Sequence, residues 1–260
     1  MFGFRARIIE DAISIPVVNA SLHGGLGPGY LSFFAEQLLR RGDVLLVIFE
    51  YPLLTGDTLV NDRATFVSWA RRDGYWHTLD LSHQLRFFRS FTLRRLISLS
   101  RNPPGSQPGR RLGPWSVDMF SVRGDLRVDD NLDVSDERRS NFAMDSRNLP
   151  ARQPQLFLDP RSPNLQSILG LIDAAKHMVV TVYATWPAVR DHELYRESYK
   201  RLVDSLPLFY GQVDVPFIRL EKRGFIPSKY IYKTAFHLNS IGATQRTRFC
   251  RCAVCTDNLV

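Results

Sequence analysis

Two parts of the chain carry residue types that could do chemistry. Gly24, Gly25, Gly27 and Gly29 crowd into a short turn with Pro28, a few residues after the apolar Val17-Val18 pair. Such a turn lets another group approach the backbone closely, and its N–H groups could donate to a developing oxyanion. His237 stands in YKTAFHLNSIGA, ahead of a short helix expected from near Ser240. An imidazole there could act as general base for a serine hydroxyl. On residue types alone, plainer readings stand beside these. A glycine turn can simply reverse the chain, and a single histidine can be structural. Cys250, Cys252 and Cys255 have the spacing C-x-C-x-x-C. That could hold a soft metal, but a closed site takes four ligands. No metal is expected there, and these residues read as a loosely ordered tail. Asp125, Asp129 and Asp130 lack the spacing and glycine of an EF-hand loop, and read as a solvated loop. The candidate catalytic residues are therefore Gly24 and His237, with no cofactor implied.

The elements that must position them follow from patterning. Ile15–Pro52 reads as strand, glycine turn, helix and second strand. Val17-Val18 is the first strand, and Tyr30–Arg41 is an amphipathic helix with Leu31, Phe34, Ala35 and Leu38 on one face. Gly42 stops the helix, and Val44–Phe49 is an unbroken apolar run suited to a strand covered on both faces. In a βαβ unit of this kind the site lies at the carboxyl ends of the strands. The glycine turn and the corner Glu50-Tyr51-Pro52 would then share one rim.

Elsewhere, Phe4–Ile13 has helical spacing, as have Asp62–Asp73 and Leu79–Ser100. In the last of these Leu85, Phe88, Leu96 and Leu99 are expected to point inward, although its arginines beside phenylalanines also fit a helix at a membrane surface. Residues 101–163 are turn-rich and irregular, an insertion within a single domain spanning 1–260. Ser162-Pro163 is a helix start signal followed by Leu165, Ile168, Leu169, Ile172 and Ala175. Met178–Tyr183 reads as a buried strand. Asp191 opens a helix with Tyr195, Tyr199, Leu202 and Leu206 on one face, and Val213–Leu220 is a strand that Pro216 pushes to an edge.

Composition bounds the rest. With 260 residues, 44% of them hydrophobic, the chain can bury a core. No run of about 18 apolar residues is present, so no transmembrane helix is expected. The opening MFGFRARIIEDAI lacks a signal-peptide layout, which for the chain as written favours the cytoplasm. The net charge of +8 is spread in arginine pairs along the chain, without an aromatic-and-basic recognition motif. A solvated basic surface is the reading, with no specific nucleic-acid partner.

The stretch PVVNASLHGGLGPGYLSFFAEQLLRRGDVLLVIFEYP resembles the second block of the SGNH/GDSL-type hydrolases, in particular an uncharacterised cell-envelope branch. The resemblance continues through FSVRGDL, SPNLQSILGLIDAAK, VTVYATWPAV and YKTAFHLNSIGA, and covers most of the chain. It implies a flavodoxin-like three-layer α/β/α sandwich with a mainly parallel central sheet. It implies ester chemistry, hydrolase or acyltransferase, on a small ester or an acylated cell-envelope glycan. It places an oxyanion-hole donor at Gly24 and the catalytic base at His237.

The chain also departs from that pattern. The family's nucleophile sits on a Gly-x-Ser turn after a first strand, and no Gly-x-Ser tripeptide occurs here. Ser14 and Ser21 are poor substitutes. Lys233 stands where the branch has the aspartate that orients the histidine, and Glu50-Tyr51-Pro52 stands where many of these enzymes carry an asparagine. The expectation is a scaffold whose first strand and nucleophile are missing, truncated ahead of Met1, and impaired in catalysis. The other reading is a non-catalytic module on the same fold that binds a glycan or a protein.

Overall fold

The computed structural model describes residues 4–20, 24–56, 65, 68, 74–90, 157–231 and 235–256. The chain enters through α1 (Ala6–Ile13), then a 3-10 turn (Gly24–Leu26) running into α2 (Gly27–Leu38). β1 (Val44–Val47) and α3 (Tyr51–Thr55) follow, then α4 (Tyr75–Thr78) and α5 (Leu81–Ser90). The second half runs α6 (Pro163–His177), β2 (Thr181–Thr185), β3 (Val189–Arg190) and α7 (Glu193–Gln212). It ends with β4 (Phe217–Ile218), β5 (Phe225–Ile226), a 3-10 turn (Ser228–Tyr230) and α8 (Ser240–Thr256).

Helices and parallel strands together make this an α/β chain. β1, β2 and β4 form one sheet in that order, both pairings parallel, with Val44 opposite Thr181 and Ala184 opposite Phe217. β3 and β5 form a second, two-stranded parallel sheet that the sequence pattern did not announce. β4 is an edge strand of two residues, as Pro216 requires. The Pro216 carbonyl still accepts from Ala184 N at 3.0 Å, because proline lacks only the donor.

The core forms where α6 and α7 cover the sheet. Leu165, Ile168, Ile172 and Ala175 of α6 meet Val182 and Ala184 of β2 and Leu202, Val203 and Leu206 of α7. Each of the larger side chains contributes about 1.5–3 kcal/mol by leaving water. α6 begins as its sequence dictates. Ser162 is extended, its hydroxyl accepts from Leu165 N at 3.3 Å, and Pro163 occupies the first turn. α7 is capped instead by His192, whose Nδ1 accepts from Leu194 N at 3.3 Å, so the helix starts just past Asp191.

Three expectations are corrected. Val17-Val18 is not a strand. The Val17 amide donates to the Glu10 carboxylate at 3.1 Å, leaving it no ladder bond, and Val18 faces solvent. The unit around the glycine turn is therefore a helix feeding β1, not βαβ. Leu38, at the end of α2, is exposed, and the buried part of that helix is Gly27, Pro28, Gly29, Tyr30 and Ser32. On α5, Leu85 and Phe88 are exposed rather than turned inward. That helix starts at an acidic cap, Asp80, which accepts from His83 N at 2.9 Å. Residues 91–100, with Leu96 and Leu99, and 101–156, with FSVRGDL and the acidic group, lie outside the described residues. So do Asp62–Asp73 apart from Thr65 and Ser68, both helical and buried.

The junction of α6 and β2 holds a strained residue. Val179 has φ 60°, a left-handed conformation that a β-branched side chain resists. It is held there because Val180 N reaches back to the Ala175 carbonyl at 2.9 Å, closing the helix end. Its side chain is exposed and contributes little packing. Val179→Gly is expected to raise stability by about 0.5–1 kcal/mol, the relief of left-handed strain outweighing the extra freedom of the unfolded chain. Urea denaturation with an unchanged slope measures it.

Candidate functional site

In a parallel sheet the carboxyl ends of all strands open on one side. Here Glu50 and Tyr51 follow β1 on that side, and Trp186 follows β2. Tyr51 opens α3 and is fully buried. Its ring stacks on Tyr199 of α7 at 4.5 Å with planes 19° apart, and Tyr199 stacks in turn near Tyr195 at 6.0 Å and 3°. Phe236, the neighbour of His237, meets both Tyr195 and Tyr199 at 6.5 and 6.2 Å. The corner after β1 is thus tied through a ladder of aromatic rings to the loop that carries His237.

That loop is fixed at both ends. Ala235 O accepts from Arg190 N at 2.7 Å, and Leu238 forms an antiparallel bridge with Ile231. Asn239 then caps α8: its Oδ1 accepts from Gly242 N at 2.8 Å, while its amide donates to Lys229 O at 2.9 Å. Gly242 permits the approach, since a Cβ there would lie 2.5 Å from Tyr230 O. His237 is half-buried between these anchors. Gly24 opens the 3-10 turn leading into α2 and is not part of the aromatic cluster. Lys233 lies outside the described residues.

α8 brings what the sequence reading missed. Far from a short helix before a loose tail, it runs through Cys255, and Cys250 on it is buried. Burial pushes that thiol up to about 11, so it stays protonated at neutral pH. One turn earlier Arg246 is enclosed, with 3% of its surface exposed. Its Nη2 donates to Trp186 O at 2.6 Å, and its guanidinium lies 4.5 Å from the Phe4 ring centre. The signal was present in the sequence: Ala243, Arg246, Thr247 and Cys250 fall at one helical face, with a charge in an otherwise uncharged stripe. Among the described residues, no cluster of three or more His, Cys, Asp or Glu could hold a metal ion.

The electrostatics of this corner follow from burial. Burial raises the Tyr51 hydroxyl well above the usual phenol range, partly offset by the Arg246 cation. Burial likewise pushes Tyr199 up to about 12, helped by the neighbouring Tyr195 and Glu50. Both phenols are therefore neutral donors at physiological pH. Burial also raises the Glu50 carboxyl above its ordinary value of 4.5.

With this geometry in place, the chain is defined as an α/β protein whose candidate site gathers at the carboxyl ends of parallel strands. No family model, no curated protein and no solved structure matches it. No described helix is long and apolar enough to cross a membrane.

Glu50 offers a pH test. The unfolded carboxyl loses its proton first as pH rises through 4.5, and the folded one holds it to higher pH. Stability contributed by this group therefore falls across that interval and stays lower above it. Glu50→Gln is expected to be more stable than the parent at pH 7 and to converge with it below about pH 4. Thermal melts across that range provide the measurement.

Proposed function

We propose that the chain is an SGNH-like acyl hydrolase or acyltransferase scaffold, built on a flavodoxin-like three-layer sandwich and directed at ester bonds, with acylated cell-envelope glycans as the substrate class. The observation that supports this most is the anchoring of the His237 loop. Bridge and cap fix its end, and Phe236 packs on Tyr199, the stacking partner of Tyr51 in the corner that follows β1, at the end of the sheet where α/β enzymes keep their chemistry. His237 is the general base in this reading, and the backbone of the glycine turn at Gly24 is the oxyanion donor.

The sequence lacks a Gly-x-Ser turn, so the activity of this chain is weak. Losing a nucleophile removes most of the rate such a site can deliver. The same absence favours a second reading, a non-catalytic module that binds a glycan or a protein partner across this rim.

The experiment is hydrolysis of 4-nitrophenyl acetate together with labelling by a fluorophosphonate probe. Slow turnover that disappears in His237→Ala, with little or no labelling, is the expected result. Turnover unchanged in His237→Ala would exclude the imidazole as base. Absence of turnover and labelling, with saturable binding of an acylated oligosaccharide, would select the binding module.

A further inference from the structure

α5 turns an apolar stripe to solvent. Leu81, Leu85 and Phe88 recur at the i, i+4, i+7 spacing that puts side chains on one helical face, and they are 69%, 53% and 49% exposed. The rotation of the helix is fixed. Gln84 Nε2 donates to the Leu79 carbonyl at 2.9 Å and to the Trp76 carbonyl at 3.2 Å, and Asp80 caps the first turn. Trp76 of α4 extends the stripe. Its ring meets Phe88 edge-on at 5.6 Å, and it packs against the small core of Tyr30, Tyr75 and Leu79.

The charge along this stretch has one sign. The sequence from Leu81 to Arg101 carries five arginines, Arg86, Arg89, Arg94, Arg95 and Arg101, and no Asp, Glu or Lys. Arg86 and Arg89 belong to α5 itself. The nearest acid in the sequence, Asp80, is already engaged. Its carboxylate accepts from Ser82 Oγ at 2.6 Å and meets His83 Nδ1 at 2.5 Å.

From an exposed apolar stripe on a helix of unbalanced arginine charge we infer that α5 docks on the surface of an anionic lipid bilayer, with Leu81, Leu85 and Phe88 entering the acyl boundary and the arginine charge meeting the headgroups. Its ten residues rise about 15 Å, half the roughly 30 Å of a bilayer core, so the helix lies on the membrane and does not span it. A nucleic-acid backbone would take the charge and leave the stripe in water. A protein partner is a poorer fit, because the stripe offers on the order of a few hundred Å², short of the about 800 Å² that each side of a stable pair contributes. A bilayer needs no matching surface and takes apolar and cationic groups together. Trp76, with one edge in the core and one beside Phe88, suits the headgroup level. The inference stands apart from the ester reading and needs neither Gly24 nor His237.

The test is cosedimentation of the full chain with vesicles of equal parts phosphatidylcholine and phosphatidylserine, and with vesicles of phosphatidylcholine alone. The chain is expected to pellet with the anionic vesicles, less with the neutral ones, and less again as salt is added. The double variant Leu81→Ser, Leu85→Ser is expected to bind about tenfold more weakly with an unchanged Tm, since both side chains already face water. The double variant Arg86→Gln, Arg89→Gln is expected to lose about fivefold per arginine on the anionic vesicles. No partition into phosphatidylserine vesicles overturns the proposal. So does partition that Leu81→Ser with Leu85→Ser leaves unchanged, because positive charge alone then holds the chain. A lowered Tm in that variant without vesicle binding shows the stripe covered within the chain and overturns it too. Self-association in sedimentation velocity that the same variant abolishes, again without vesicle binding, makes a second copy the occupant instead.

Discussion

Parallel pairing between Val44–Val47 and Thr181–Thr185 joins two stretches far apart in the chain, and the other described elements take their places from it. Strands that run the same way cannot be linked by a tight turn, so a helix must return the chain each time. α7 does this between β2 and β4, and its inner face becomes half of the core. The same constraint gathers the ends of the strands on one side. Glu50, Tyr51 and Trp186 are neighbours of one cluster for that reason, although no local feature of their sequences joins them.

The cluster shows two ways of managing polar groups away from water. Trp186 satisfies its indole by donating to Val203 O at 2.9 Å, and Thr185 satisfies its hydroxyl on Ile218 O at 2.8 Å. These side chains close local accounts and fix the sheet against α7 and β4. Arg246 and Tyr51 are different, since each keeps a buried donor without an acceptor. A fold stabilised mainly by Leu165, Ile168, Leu202 and Leu206 tolerates two such donors because that apolar core is large.

Much of the fold was legible where local chemistry and burial agree. Ser162-Pro163 announced α6, the apolar run after Gly42 announced β1, the run Met178–Tyr183 announced β2, which begins only at Thr181, and Pro216 announced an edge strand. Reading failed where a residue found a partner that local patterning does not encode. The amide of Val17 went to Glu10, which removed a strand that β-propensity favoured. The exposure of Leu85 and Phe88 likewise could not be read from helical spacing, which sets the face but not what lies opposite it. For the site, the position of His237 before a helix was legible, because Asn239 is a strong cap. The assembly of Tyr51, Tyr199 and Arg246 was not, because it depends on strand order and on a helix from the far end of the chain.

The contact between α1 and α8 carries a consequence for biosynthesis. Arg5 N donates to Thr247 Oγ1 at 2.9 Å across 242 positions of sequence, and the Arg5 side chain reaches Ser240 Oγ. α8 leaves the ribosome after every other described element, so the first helix lacks these contacts with α8 while the remainder is translated. Ala6 and the Phe4 ring, buried by α8 or lying against its Arg246, stay without that cover until α8 has been translated. That interval is one in which a holding chaperone would find its binding surface on the first helix.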